Sequence, residues 1–132
     1  MAEAIQKHCQ HPPVIAVGQT SLKALLVLIR DAAWVVAPDS GPVHMAVAFK
    51  TPVIGLYATS NPQRTGPWGQ NTYVVNAYPR AVQQYLKTQP EALKWGQRVR
   101  HPEAMSVIQV EDIREKMAAI AQDTGLKTTD EN

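Results

Sequence analysis

The chain has 132 residues, 45% of them apolar, a formal charge of +2 and a single cysteine, Cys9. That suffices for one domain with its own core, while Lys and Arg residues spread without a basic, aromatic-laced block argue against a nucleic-acid partner. A lone cysteine excludes an intrachain disulfide and a zinc site built on cysteine pairs, and with no membrane-spanning run and no signal peptide the expectation is a cytoplasmic chain without metal or cofactor.

In chain order, residues 1–9 read as the end of a helix that His11-Pro12-Pro13 stops. Val14–Val17 reads as a short strand and Gly18-Gln19-Thr20 as a turn. Thr20 or Ser21 then caps a helix in which Leu22, Leu25, Leu26 and Ile29 recur at helical spacing, ending near Arg30. Trp34–Ala37 and Val53–Tyr57 are nearly continuous apolar runs, the pattern of parallel strands covered on both faces. Between them Pro42 suits the first helical position, Val43, Ala46 and Val47 share one face, Lys50 falls in the last turn, and Thr51-Pro52 ends the helix. Right-handed crossovers put the loops after these strands on one rim: Gly18–Ser21, Asp39–His44 and the long loop Ala58–Gly69.

Tyr73–Val75 reads as an edge strand, Ala81–Lys87 as helical, and residues 78–105 otherwise carry no clear pattern. A final helix over Glu111–Ala121 places Ile113, Met117 and Ile120 on one face. The fold class is α/β, a Rossmann-like parallel sheet flanked by helices, with residues 1–124 as one partial domain and 125–132 as a disordered tail.

Asp39, Ser40 and Gly41 fall where a strand hands over to a helix, the place in an open α/β sheet where free backbone N–H groups meet an anion. The expected ligand is a phosphate group. Ser40 and Gly41 supply hydroxyl and N–H donors, His44 one turn later points into the same mouth, and Asp39 orients the turn or a ligand hydroxyl. Helix capping by Ser40 uses the same geometry and is the bland alternative. Thr20, Ser21 and Arg64 are outer candidates on the rim. Gly66-Pro67-Trp68-Gly69 reads as a rigid turn with Trp68 covering the domain's flank, and His8, His11 and His101 lack metal-ligand spacing.

The run Asp39-Ser-Gly-Pro-Val-His44-Met-Ala-Val-Ala, then Thr51-Pro-Val-Ile-Gly-Leu, Asn61-Pro and Thr65-Gly-Pro-Trp-Gly resembles glycosyltransferase family 9, the ADP-heptose:lipopolysaccharide heptosyltransferases. Gly18-Gln-Thr-Ser-Leu22 upstream and Met105 before Ile108–Ile113 follow the same order, so the resemblance covers about residues 14–120. It implies the C-terminal, nucleotide-sugar-binding part of a two-domain GT-B enzyme. That enzyme moves heptose from ADP-heptose to the lipopolysaccharide inner core by inverting, metal-independent transfer. The acceptor and the general base then belong to an N-terminal domain that this chain does not match, so the chain alone is expected to be inactive. The resemblance further implies peripheral association with the inner membrane, and apolar surface left for the rest of the domain implies self-association. The family commonly has glycine where this chain has Ala58 and often cysteine where it has Ala104. Another GT-B glycosyltransferase, a sugar-nucleotide epimerase fragment or a non-enzymatic phosphate-binding module stay open as alternatives.

Overall fold

The computed structural model describes residues 1–126. In chain order the elements are α1 (Ala2–His8), α2 (Leu22–Asp31), β1 (Val35–Pro38), α3 (Gly41–Ala48), β2 (Val53–Tyr57), α4 (Pro62–Thr65), β3 (Val75–Asn76), α5 (Tyr78–Ala81) and α6 (Val110–Thr124). The strands are parallel and lie side by side as β1-β2-β3, with Val35 beside Val53, Pro38 beside Leu56, and Leu56 beside Val75.

The central strand explains its own sequence. Successive side chains of a strand face opposite ways. Val53 packs with Ala37, with Ile29 of α2 and with Val43 and Ala46 of α3, whereas Ile54 packs with Val75 and with Ile120 of α6. With helices on both faces β2 has no wet side, which is why its five residues show no polar alternation. Thr51, buried at the strand's entry, donates its hydroxyl to the Ile29 carbonyl at 3.0 Å and so ties the end of α2 to the sheet.

Beyond the sheet, Ala58, Ala77, Tyr78, Ala81, Val82, Val99, Ala104 and Val107 form a further buried cluster. It fixes residues 96–101 to the scaffold: the Val99 N–H donates to the Thr59 carbonyl at 2.9 Å and the Tyr78 hydroxyl to the Gln97 carbonyl at 2.6 Å. Ala58 and Ala104, the two departures from the family pattern, are both fully buried here.

Val14–Val17 forms no strand: it hydrogen-bonds to no strand among the described residues, and Val14 and Val17 are 94% and 76% exposed. A ladder needs a neighbour, and an apolar run without one cannot declare itself. Gly18–Ser21 therefore follows no strand and is not part of the rim. β1 is covered on both faces only in part, because Val36 remains 41% exposed. Leu22, expected on the buried stripe of α2, is exposed, while Leu25 and Leu26 are half-buried and Ile29 is buried.

Lys50 is not in the last turn of α3. The helix ends at Ala48, and Lys50 takes φ 58°, its N–H donating to the Val47 carbonyl at 3.0 Å while the Thr51 N–H reaches the Ala46 carbonyl at 2.9 Å. That is a Schellman closure with lysine where glycine is usual. Trp68 does not cover a flank but is exposed. The edge strand starts two residues later than expected, and the helical stretch begins at Tyr78 and runs through a π-type turn over Val82–Leu86. α6 is longer than expected and closes on Gly125 at φ 69°. Residues 127–132 of the expected disordered tail lie outside the described residues.

Candidate functional site

β1 ends at Pro38 and α3 begins at Gly41, so Asp39 and Ser40 are the whole handover between them. One carboxylate oxygen of Asp39 accepts three hydrogen bonds: from Ser60 Oγ at 2.6 Å, Thr65 Oγ1 at 3.0 Å and the Arg98 guanidinium at 3.2 Å. The Asp39 side chain is 14% exposed and Arg98 is 49% exposed. Asp39 therefore laces the loop after β2, and the distant segment carrying Arg98, to the end of β1. Two of the three expected rim segments do meet, through this carboxylate.

Beneath it, the Tyr57 hydroxyl donates to the Thr65 carbonyl at 3.0 Å. Burial, and after it the negative charge of Asp39, pushes the Tyr57 phenol up to about 12. The same ring lies over Gly55, where an added Cβ would come within 2.7 Å of Tyr57 Cε2. Glycine is required at 55 because the ring occupies that space.

Ser40 stands at the N-cap of α3 with extended backbone, yet its side chain caps nothing; its hydroxyl donates backwards to the Pro38 carbonyl at 2.9 Å. Of the orphan donors in the first turn, Pro42 has no N–H and the Val43 N–H turns to the Ser40 carbonyl at 3.2 Å. The Gly41 N–H has no acceptor among the described residues. Packing does not demand glycine at 41, since a Cβ there would meet only Met45 Cε at 3.7 Å. What its absence provides is an unshielded N–H. The His44 side chain, exposed on the same turn, makes no hydrogen bond among the described residues.

The outer candidates separate. Ser21 is the N-cap of α2, accepting from the Ala24 N–H at 3.2 Å, and Thr20 is exposed without a bond to the Asp39–His44 turn. Arg64, in α4, reaches toward the 96–101 segment: a Cβ on Gly96 would sit 2.8 Å from its Cζ. Sequence reasoning missed Ser60, Thr65 and Arg98. The hydroxyls were legible in principle, because a carboxylate at a buried handover requires donors and the nearest loop carries them. Among the described residues no group of three or more His, Cys, Asp or Glu side chains could hold a metal ion, and no helix is long and apolar enough to cross a membrane.

A sequence profile of glycosyltransferase family 9 (heptosyltransferase) matches residues 1–95. The chain is 38% identical over 113 residues to the lipopolysaccharide core heptosyltransferase OpsX of Haemophilus influenzae, which covers 86% of this chain and 33% of that protein. It is 37% identical over 68 residues to lipopolysaccharide heptosyltransferase 3 of Escherichia coli, covering 51% of this chain and 20% of that one. Lipooligosaccharide heptosyltransferase 2 of H. influenzae is 32% identical over 75 residues, 57% of this chain and 20% of the relative. The chain thus spans a third or less of the curated relatives it matches. No solved structure matches it.

Proposed function

The chain belongs to glycosyltransferase family 9, and from that premise we propose that it is the nucleotide-sugar-binding part of a heptosyltransferase of lipopolysaccharide core biosynthesis, with ADP-heptose as donor. The observation that carries this reading is the state of the Asp39–His44 turn. An acidic residue beside a phosphate site would repel the ligand, but Asp39 is engaged by Ser60, Thr65 and Arg98. What faces outward is the Gly41 N–H and the His44 imidazole at the positive end of α3, with the Ser40 hydroxyl able to turn from Pro38.

In this reading Gly41 and Ser40 hold a phosphate oxygen, and His44 offsets the charge that builds on the leaving nucleoside diphosphate. No metal takes part. The general base and the acceptor site belong to a separate N-terminal domain, so this chain alone transfers no heptose. The enzyme works at the cytoplasmic side of the inner membrane, where its acceptor is assembled.

A two-dimensional amide NMR titration with ADP, UDP and inorganic phosphate tests the reading. Shifts centred on Ser40, Gly41 and His44, larger for ADP than for UDP, are expected, with affinity on the order of millimolar for an incomplete pocket. An equal response to all three ligands would instead favour a general phosphate-binding module, and no response at those residues would remove the donor site from this turn.

A further inference from the structure

Next to Arg98 lies an open cleft of about 620 Å³ whose lining includes Arg64, Tyr85, Gly96, Arg98, Arg100 and His101. Three guanidinium groups in one cleft repel each other, and only Arg98 has a carboxylate, Asp39, within ion-pair distance; among the described residues Arg64 and Arg100 are in no ion pair. The surrounding geometry is fixed. Val99, buried and bonded to Thr59, lies between the exposed Arg98 and Arg100 and anchors the segment that carries them. Gly96, at φ 81° and without a side chain, leaves room for the Arg64 guanidinium to lie against the backbone.

The His101 ring is equally constrained. It stacks on Tyr85 with centroids 4.0 Å apart and planes 16° from parallel, while its Nδ1 accepts the Glu103 N–H at 3.1 Å. The Tyr85 hydroxyl donates to the Glu103 carbonyl at 3.0 Å, so stacking partner and backbone are pinned together. With Nδ1 used as acceptor, the neutral ring carries its proton on Nε2 as a donor.

We propose that this cleft is an anion site that binds a phosphoryl group carried on a sugar or a nucleoside, with Arg64 and Arg100 as guanidinium forks and His101 Nε2–H as a third donor. Planar forks match phosphate oxygens two at a time, which an ammonium cannot do. At about 620 Å³ the cleft is of small-molecule size and has room for a body larger than inorganic phosphate. The site goes beyond the donor reading: Arg100, His101 and Tyr85 are no part of the Asp39–His44 turn, and the cleft touches that turn through Arg98.

The experiment is an amide and arginine-Nε NMR titration of the 132-residue chain at constant ionic strength with inorganic phosphate, glucose 6-phosphate, ADP and, as controls, glucose and chloride. All three phosphate compounds are expected to shift residues 96–101 and the Arg64 and Arg100 Nε–H signals, and glucose is not. Glucose 6-phosphate binding more tightly than ADP identifies a sugar phosphate as the carrier, and the reverse order identifies the nucleotide. The double substitution Arg64→Gln/Arg100→Gln should weaken phosphate binding at least roughly tenfold, with the double Lys variant, which keeps charge but loses the forks, falling between. Unchanged amide signals in β2 and α6 verify that the fold is kept. A response no larger than that to chloride, or an affinity untouched by the double Gln variant, overturns the proposal. Failure of the donor reading shows separately, as silence at Ser40, Gly41 and His44 under ADP.

Discussion

Asp39 does two things with one oxygen: it anchors the loop after β2 through Ser60 and Thr65, and it holds Arg98. Truncation to Ala strands the Ser60 hydroxyl, which is 4% exposed, and should cost on the order of 2–3 kcal/mol in a denaturant melt. Asp39→Asn is milder and more diagnostic. It removes the charge that is the second cause of the raised Tyr57 phenol, so that pKa should move down from about 12 but stay above 10, because burial, the larger cause, persists. The linked stability follows in sign: a phenol raised on folding contributes fully below pH 10, and that contribution drains away as pH rises through about 12. Ring-labelled tyrosine NMR across that range, on the wild type and Asp39→Asn, checks both statements; an unmoved Tyr57 in the variant would show that Asp39 is not charged against it. The turn itself was legible from Asp39-Ser40-Gly41 and Pro42, because local steric rules place them. Arg98 was not, because its bond to Asp39 spans 59 residues and nothing local to Arg98 marks it.

At the scale of elements, legibility tracked how completely each one is satisfied by its own neighbourhood. β2 is readable to its ends because both faces are buried and Pro52 marks its start. Val14–Val17 is likewise apolar but has no ladder partner among the described residues, and the helical stretch read over Ala81–Lys87 begins three residues earlier, at Tyr78, where Pro79 hides its start. α6 shows a further mechanism that pattern alone does not reveal. Asp112 accepts the Gln109 N–H at 2.8 Å at the helix start and pairs with Arg80 from α5, and the Arg80 hydrogen bond first, then the backbone N–H, holds its carboxyl below the usual range. Stability from this pairing is present above the unfolded carboxylate's pKa and is lost as pH falls through the depressed folded value. Asp112→Asn should therefore lower the melting temperature at pH 6 and do progressively less as the pH is taken below 3, measured by far-UV circular dichroism; an equal loss at both pH values would assign the effect to packing instead of charge.

Across the whole molecule, the exposed apolar side chains are concentrated in the first half of the chain. Val14, Val17, Leu22, Val27, Leu28, Val36 and Phe49 are each at least 40% exposed, and β1, which carries Val36, is an edge strand with one side of its ladder open among the described residues. The second half instead closes on its own cluster around Val82 and Val99. Strands of parallel sheets are ordinarily paired and covered on both faces, so an open β1 leaves apolar surface and ladder groups unsatisfied among the described residues. The free energy of covering that surface is available to any partner, including a second copy of the chain. Self-association is therefore expected, rising with concentration in sedimentation velocity and suppressed by Val36→Lys, which charges the open face without touching the Asp39–His44 turn. A chain that stays monomeric at high concentration would count against it, and so would an Arg64→Gln control that dissociates the assembly as effectively as Val36→Lys, because that would move the contact from the sheet edge to the basic cleft.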